Sequence, residues 1–191
     1  MNPTEARRKK ALKTAVLVVS GVILQAVIIL LFVFLVLRVR HVRLSVRSAE
    51  VEGLAVNYSS SSPSFSMAMH TQVNIRNPNF GHYKFEETNL TVSYRGRLVG
   101  EAVIEKAKAR AFSTKKVKLT VAVDSRALAS RSSKIKMRKD IYAGVLILES
   151  KATLTGKVHL FEVFKKRKSA GMECTMEVNV KSKEVQNLEC H

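Results

Sequence analysis

The chain has 191 residues, 46% of them hydrophobic and 25% charged, and 33 lysines and arginines against 15 acidic residues give a net charge of +18. This length suggests one modest domain beside a membrane segment. The positive charge attracts polyanions such as nucleic acid or anionic lipid headgroups. Nearly half of the excess charge, however, flanks an apolar run on its two sides. Charge alone is therefore weak evidence for nucleic-acid binding.

The apolar run from Ala15 to Leu37 contains no charged residue. A helix of this length is about 35 Å long, enough to cross a hydrocarbon core of about 30 Å. Because water is absent there, a lone span must satisfy its backbone groups as a helix. The run is too long for a cleaved signal peptide and is followed directly by Arg38. We therefore predict a signal anchor, with residues 1–14 as a basic cytosolic tail and residues 15–37 as the transmembrane helix.

The juxtamembrane segment, residues 38–47, is basic and also begins the first predicted strand. Its arginines are candidates for contact with lipid headgroups: Arg38, Arg40, Arg43 and Arg47. Val42, Leu44 and Val46 alternate with polar residues, as in a strand with one buried face. The net charge of this segment equals the +4 of residues 1–14, so the positive-inside rule leaves the orientation of the span open.

Residues 48–191 alternate between apolar and polar side chains with a period of two in several runs. The apolar positions are Phe65, Met67, Met69, Val73 and Ile75; Leu90, Val92 and Tyr94; Val117, Leu119, Val121 and Val123; Ala152, Leu154, Val158 and Leu160; and Met172, Cys174, Met176, Val178 and Val180. Such alternation is typical of an antiparallel sheet with one face on a core. About seven short strands separated by turns predict an all-β domain, a β-sandwich.

Turn residues separate these runs, and one stretch departs from the alternation. Residues 77–81, Asn-Pro-Asn-Phe-Gly, combine a fixed φ with residues that tolerate left-handed geometry. Residues 95–97, Arg-Gly-Arg, predict a hairpin. The basic stretch 131–139 precedes an apolar run over residues 141–148. We expect a short helix or a long loop there, followed by a buried strand.

Several short motifs follow the single span in a defined order. They are Val73-Asn74-Ile75-Arg76-Asn77-Pro78-Asn79, then Val92-Ser93-Tyr94-Arg95-Gly96, then Cys174, and finally Val185-Gln186-Asn187-Leu188-Glu189-Cys190. With the basic tail and the span, this order resembles late embryogenesis abundant (LEA) subgroup 2, a plant family that includes the harpin-induced-like membrane proteins. The likeness extends over nearly the whole chain, and it is the order and spacing of the motifs that make it specific.

The resemblance implies a fold, a cellular location and a biological context. The fold is an immunoglobulin-like or fibronectin-like antiparallel β-sandwich. The location is the plasma membrane or an endomembrane, and the context is pathogen defence and dehydration or cold stress. Asn77, Pro78 and Asn79 would form a structural turn at the end of a strand. The molecular activity of the family is poorly defined, so the resemblance supplies neither catalytic residues nor a named protein partner.

The sequence offers little for catalysis, metal binding or a cofactor. The five histidines are dispersed without the spacing of metal ligands. It has no glycine-rich phosphate loop, nucleophile elbow or zinc-protease motif, and Asp124 and Asp140 are the only aspartates. We therefore expect no enzyme and no cofactor. Few aromatic residues interleave with the basic runs, so nucleic-acid binding by base stacking is not indicated either.

Cys174 and Cys190 are the only cysteines of the chain. In the secretory lumen or outside the cell they could form a disulfide that joins the C-terminal tail to a strand. Closing a loop of about 15 residues stabilises a fold by about 3 kcal/mol in the chain-entropy model. A free thiol at Cys174 fits equally, because Met172 and Met176 share its apolar face. The residues leave both alternatives open.

Two N-glycosylation sequons, at Asn57 and Asn89, bear on the orientation of the span. Asn57 lies beside a serine-rich loop and should be accessible, whereas Asn89 begins a strand and should be less so. Together with the family resemblance, these sequons favour a cytosolic N-terminus and a glycosylated domain on the exoplasmic side of the membrane.

Two functional hypotheses follow. The first is a membrane-anchored, non-enzymatic interaction protein of plant stress and defence responses, with an unidentified protein partner and a β-sandwich displayed on the exoplasmic side. The second is a cytosol-facing lipid-binding tether whose basic domain docks on an anionic membrane. The basic clusters at residues 38–47, 134–139 and 165–168 motivate the second hypothesis. A solvated surface is the simpler explanation of the same clusters.

Overall fold

The computed structural model describes residues 3–59, 61–128, 130–160 and 164–191. The chain forms two compact units, Met1–Val39 and Arg40–His191. The first unit is a helix, and the second, which we call the β-domain, has its own hydrophobic core.

The first unit is helix α1, Pro3–Leu37. Its segment Leu12–Leu35 has 24 residues and a mean hydropathy of 3.0, so it is long and apolar enough to cross a membrane. The side chains of this segment are exposed on every side of the helix. A helix that is apolar all round is typical of a membrane span or a buried core helix. The helix begins before the predicted span and includes most of the basic tail.

The β-domain contains ten strands, one further α-helix and a 3₁₀ turn in the part of the chain that the structure describes. In chain order they are β1 Arg43–Asn57, β2 Ser64–Asn77, β3 His82–Phe85, β4 Thr88–Tyr94, β5 Arg97–Ile104, β6 Ala107–Ala109, β7 Ser113–Asp124, the 3₁₀ turn Ser125–Ala127, α2 Arg131–Ala143, β8 Val145–Leu160, β9 Phe164–Asn179 and β10 Glu184–Cys190. The prediction of a mainly β fold behind one apolar helix is confirmed. The short strands β3 and β6 were not predicted.

The ten strands hydrogen-bond into one sheet in which each neighbouring pair is antiparallel. The strand order is β10-β9-β8-β4-β5-β7-β2-β1, and β3 and β6 continue the sheet beside β8, beyond the start of β4. Strand β1 also packs against β9 and β10, so the sheet curls and partly closes. One partly closed sheet therefore stands where an immunoglobulin-like sandwich would have two separate sheets.

Strand β8 is central to this sheet. It pairs with β9 along its whole length on one edge, and with β4 and then β3 on the other. Every second residue from Leu146 to Leu160 is buried. Each large apolar side chain that leaves water contributes about 1.5–3 kcal/mol. A strand that buries one face therefore needs apolar residues at alternate positions, which is why a period of two predicted the part of β8 from Ala152 to Leu160.

Helix α2 precedes β8 in the chain and packs on the sheet. The Ser130 hydroxyl caps its first turn by accepting a backbone N–H, and Gly144 ends it with a φ of 81°. The helix was one of the two expected alternatives for this region, but the expected start of the following strand at Ile141 was wrong. Ile141 lies on the buried face of α2, and β8 begins at Val145. A short apolar run does not distinguish a strand from the buried face of a helix.

Candidate anion-binding surface

One end of the β-domain brings together several strand ends and the first residue of the domain. The register places the end of β2 beside the start of β7, and the start of β3 beside the end of β8. Strand β9 begins at the same end, because Leu160 of β8 pairs with Phe164. Arg40 is hydrogen-bonded to the loop after β2 and so lies here too. We call this part of the domain the Arg40 end.

The side-chain amide of Asn77 joins the loops of the Arg40 end. Asn77 is fully buried. Its Nδ2 group donates to the carbonyl oxygens of Gly81 at 2.8 Å, Ala109 at 3.3 Å and Arg110 at 2.9 Å. Its Oδ1 atom accepts from the side-chain amide of Asn79 at 2.9 Å. One side chain therefore pairs polar groups from the loop before β3, from the last residue of β6 and from the residue after it.

Asn79 bonds the same loop to the start of the domain. Its Oδ1 accepts the backbone N–H of Arg40 at 2.6 Å, and its Nδ2 donates to the Arg40 carbonyl oxygen at 3.1 Å. Pro78, between the two asparagines, restricts φ and so limits the conformations of the loop. Asn77, Pro78 and Asn79, predicted as a structural turn, thus form a buried clasp around the segment that follows α1.

We expect Asn77→Ala to lower the free energy of unfolding of the β-domain by about 2 kcal/mol, because buried carbonyl oxygens lose their donor. Chemical denaturation of residues 40–191, followed by circular dichroism, measures this loss. Asn74→Ala is the matched control: Asn74 lies on the same strand, is only partly buried, and accepts a hydrogen bond from Gln72 on the outer face. An equal loss in the two variants would contradict the role assigned to Asn77.

Four cations stand opposite one another across four neighbouring strands near the Arg40 end. Lys108 of β6 pairs with Lys84 of β3. Lys84 pairs on its other side with Lys157 of β8, which in turn pairs with Arg167 of β9. All four side chains are exposed. Neighbouring strands are about 4.8 Å apart, so the row is about 14 Å long. We call it the cation ladder.

A second row of basic side chains lies closer to the Arg40 end. His82 of β3 pairs with His159 of β8, and His159 pairs with Lys165 of β9. The pKa of His159 is lowered by its partial burial and then by the positive charges around it, from Lys84, Lys165, Lys157 and His82. The positive charges of the two rows therefore lie close enough to His159 to disfavour its protonation.

No acidic side chain neutralises the cation ladder among the residues that the structure describes. The ion pairs in that part of the chain are Glu52–His70, Asp124–Arg126, Asp140–Arg95 and Glu173–Lys151. Like charges directly opposite each other destabilise a sheet. A bound phosphate or carboxylate would relieve this repulsion, so the chemistry that the ladder offers is anion binding.

Two phenylalanines project into solvent at the Arg40 end. Phe80 is 51% exposed and Phe112 is 59% exposed, and their rings meet edge to face with the centroids 4.6 Å apart. The backbone N–H of Phe112 donates to the carbonyl oxygen of Asn79 at 3.2 Å, which connects the pair to the clasp. An exposed aromatic pair beside cations is typical of a surface that contacts another molecule or a membrane.

The arginines predicted as headgroup contacts are all exposed. Arg38 belongs to the first unit of the chain. In the β-domain, Arg40 is bonded in the clasp, and Arg43 stands opposite Arg76 of β2 near the same end. Arg47 lies at an irregularity in the pairing of β1 with β2. Arg40 and Arg43 therefore add positive charge to the Arg40 end.

Sequence reasoning missed most of the cation ladder. The cluster at residues 165–168 was noticed, and it supplies Arg167. Lys84, Lys108 and Lys157 belong to no basic run, because they come from three other strands. The alternation of apolar and polar residues predicts that each lysine is exposed. It does not predict which residue of a neighbouring strand lies opposite.

The two cysteines are joined in a disulfide. Cys174 is fully buried in β9, and Cys190 is the last residue of β10. The backbones of Glu173 and His191 exchange two hydrogen bonds beside the bridge, at 3.1 Å and 2.8 Å. The bridge and these bonds together attach β10 to the edge of the sheet.

Both sequon asparagines are exposed. Asn57 ends β1, and its Oδ1 accepts the backbone N–H of Ser59 at 3.0 Å. Asn89 lies in β4 opposite Val103 of β5. Its exposure differs from the expectation that a position at the start of a strand would be less accessible. A glycan on either side chain would extend into solvent.

One further polar cluster lies on the outer face of β2. The ring of His70 contacts the Glu52 carboxylate at 2.7 Å through Nε2 and the Thr120 hydroxyl at 3.0 Å through Nδ1. Both His70 and Glu52 are well exposed, so water competes for these bonds. Within the described part of the chain, no group of three or more His, Cys, Asp or Glu residues is arranged to hold a metal ion.

Comparison with known proteins finds one family and several similar chains. The family described as late embryogenesis abundant protein matches residues 72–176. A late embryogenesis abundant protein of Arabidopsis thaliana is 31% identical over 156 residues, which cover 81% of this chain and 71% of that protein. The solution structure of an Arabidopsis thaliana protein is similar with a TM-score of 0.43 and 18% identity, covering 71% of this chain and 82% of the other. A crystal structure from Archaeoglobus fulgidus has a TM-score of 0.34 and 10% identity, with coverages of 69% and 95%.

Proposed function

Because the chain belongs to the late embryogenesis abundant family, we propose that it is a stress-associated protein anchored in a membrane by α1. In this proposal the N-terminus lies in the cytosol and the β-domain stands on the exoplasmic side of the plasma membrane. The domain acts by binding a protein partner rather than by catalysis, in stress and defence responses. The observation that carries the proposal is the apolar segment Leu12–Leu35 in front of a β-domain that has a core of its own.

The orientation is tested by glycosylation. We expect the full-length protein, expressed in plant cells, to increase its mobility after endoglycosidase treatment. Asn57→Gln combined with Asn89→Gln should abolish this shift, because these side chains belong to the two sequons. Asn74→Gln, an asparagine outside any sequon, should keep it. If no shift occurs and protease digests the β-domain in sealed microsomes, the exoplasmic orientation is wrong.

The cation ladder favours a second candidate function. In that case the β-domain faces the cytosol and docks on an opposing anionic membrane as a lipid-binding tether. An anionic surface would lie against the exposed ladder, and each charge near it contributes about 1 kcal/mol. A glycan at Asn57 or Asn89 would exclude the tether. Protease-sensitive domains in sealed microsomes, together with aggregation of added anionic vesicles, would favour it.

A further inference from the structure

We infer that the Arg40 end of the β-domain docks on anionic lipid headgroups of the same bilayer that α1 crosses. Phe80 and Phe112 enter the headgroup layer, and the cation ladder binds the phosphates and carboxylates of the lipids. The inference rests on the membrane anchoring proposed above and requires anionic lipid in the leaflet that faces the β-domain. It adds a defined contact surface to the four arginines considered at the sequence level.

Chain length restricts how far the Arg40 end can lie from the bilayer. Helix α1 ends at Leu37, and Arg40 is already bonded to Asn79 of the β-domain. The intervening chain can span at most about 11 Å when fully extended. This reach is comparable to the Debye length of about 8 Å at physiological ionic strength. The Arg40 end therefore remains within the electrostatic field of the surface.

Two rows of basic residues of the β-domain lie near the Arg40 end. The row of His82, His159 and Lys165 lies at the strand ends, and the cation ladder lies two residues further along each strand, about 7 Å away. Each lysine or arginine near an anionic surface strengthens the attraction about fivefold. None of the cations of the two rows belongs to an ion pair of the described residues.

The exposed phenylalanines give the same end an apolar contribution. Phe80 directly follows the clasp residue Asn79, and Phe112 is bonded to the carbonyl oxygen of Asn79. Aromatic side chains beside cations are the composition of segments that lie in the membrane interface. An anionic bilayer is therefore the occupant that matches both the charge and the exposed rings.

The experiment places a fluorophore in the contact surface of the full-length protein. The chain contains no tryptophan, so Phe112→Trp introduces a single one. This protein is reconstituted into vesicles of brominated phosphatidylcholine, with and without about one third phosphatidylserine. We expect the tryptophan emission to shift to the blue and to be quenched only when phosphatidylserine is present. Raising the salt concentration should reverse the change.

The ladder variant combines Lys84→Gln, Lys108→Gln, Lys157→Gln and Arg167→Gln. It removes repulsion between paired strands, so the sheet should stay folded. We expect it to lose at least about half of the quenching, since each charge contributes about fivefold. The control removes the same charge from helix α2, at the other end of β8, through Lys134→Gln, Lys136→Gln, Arg138→Gln and Lys139→Gln. It should keep the quenching.

Three results would overturn the inference: emission that does not depend on phosphatidylserine, quenching in the ladder variant that equals that of the control variant, and quenching only by bromine in separately added vesicles. The last result would indicate docking on an opposing membrane. Extraction at alkaline pH separates the two proposals. A protein that stays in the bilayer without being quenched contradicts docking alone, whereas a protein that is extracted contradicts the membrane anchoring.

Discussion

Gly156→Ala is expected to lower the free energy of unfolding of the β-domain by about 3 kcal/mol. A methyl group at this position would overlap the carbonyl oxygen of Lys84 and lie 2.8 Å from both the Phe85 Cα and the Tyr83 Cε2. Two of these three atoms belong to the backbone, so no change of rotamer relieves the overlap. Glycine is required because β3 approaches β8 closely here. Urea denaturation of residues 40–191, followed by circular dichroism, measures the loss.

Gly171→Ala is the matched control for this prediction. Gly171 lies in β9, and a methyl group there would have only the Thr153 Oγ1 atom near it, at 4.0 Å. The control should leave stability unchanged or raise it slightly, because alanine restricts the unfolded chain. Gly81→Ala should repeat the loss, since its methyl group would overlap the carbonyl oxygen of His159. Equal stability of the Gly156 and Gly171 variants would contradict the close approach of β3 to β8.

The same contact connects the fold to the candidate site. Strand β3 has only four residues, His82–Phe85, and it places Lys84 between Lys108 and Lys157. If β3 moves away from β8, the cation ladder is interrupted at its second position. Docking of the reconstituted protein on its own anionic bilayer should therefore weaken in Gly156→Ala even under conditions where the rest of the sheet remains folded.

Local patterns in the sequence were enough to predict the long apolar helix and most strands. In β8 and β9 every second residue is buried over long stretches, and one buried face leaves the same alternation in the sequence. A turn at Asn77, Pro78 and Asn79 could also be predicted, because proline and asparagine have narrow backbone preferences. These features depend on residues that are near each other in the chain.

Pairing between distant strands could not be predicted. The cation ladder exists only because β6, β3, β8 and β9 are neighbours in the sheet, and no local rule specifies that order. The clasp shows the same limit: Asn79 was recognised as a turn residue, but its bond to Arg40 spans 39 positions of the chain. Strand β3 was not predicted, because four residues are too few to establish an alternation of apolar and polar side chains.

Cys190→Ala is expected to lower the free energy of unfolding of the oxidised β-domain by about 3 kcal/mol. The disulfide links Cys174 and Cys190 across a separation of 16 residues, so its loss releases the loop that contains β10. Strand β10 lies at the edge of the sheet and pairs only with β9 in the described residues, with an irregular register between Gln186 and Glu189. Denaturation of residues 40–191 with and without a reductant measures the difference.

Reduction supplies the control, because a reductant should bring the unmodified domain close to the stability of Cys190→Ala and leave that variant unchanged. If the oxidised domain and the variant unfold at the same urea concentration, the bridge does not stabilise the fold. The result also bears on orientation, since disulfides persist in the secretory lumen and outside the cell but are rare in the cytosol. Thiol alkylation during denaturing lysis of cells that express the full-length protein should find Cys174 and Cys190 blocked if the β-domain is exoplasmic. Two reactive thiols would favour the cytosolic tether, in which β10 is attached to the sheet by backbone hydrogen bonds alone.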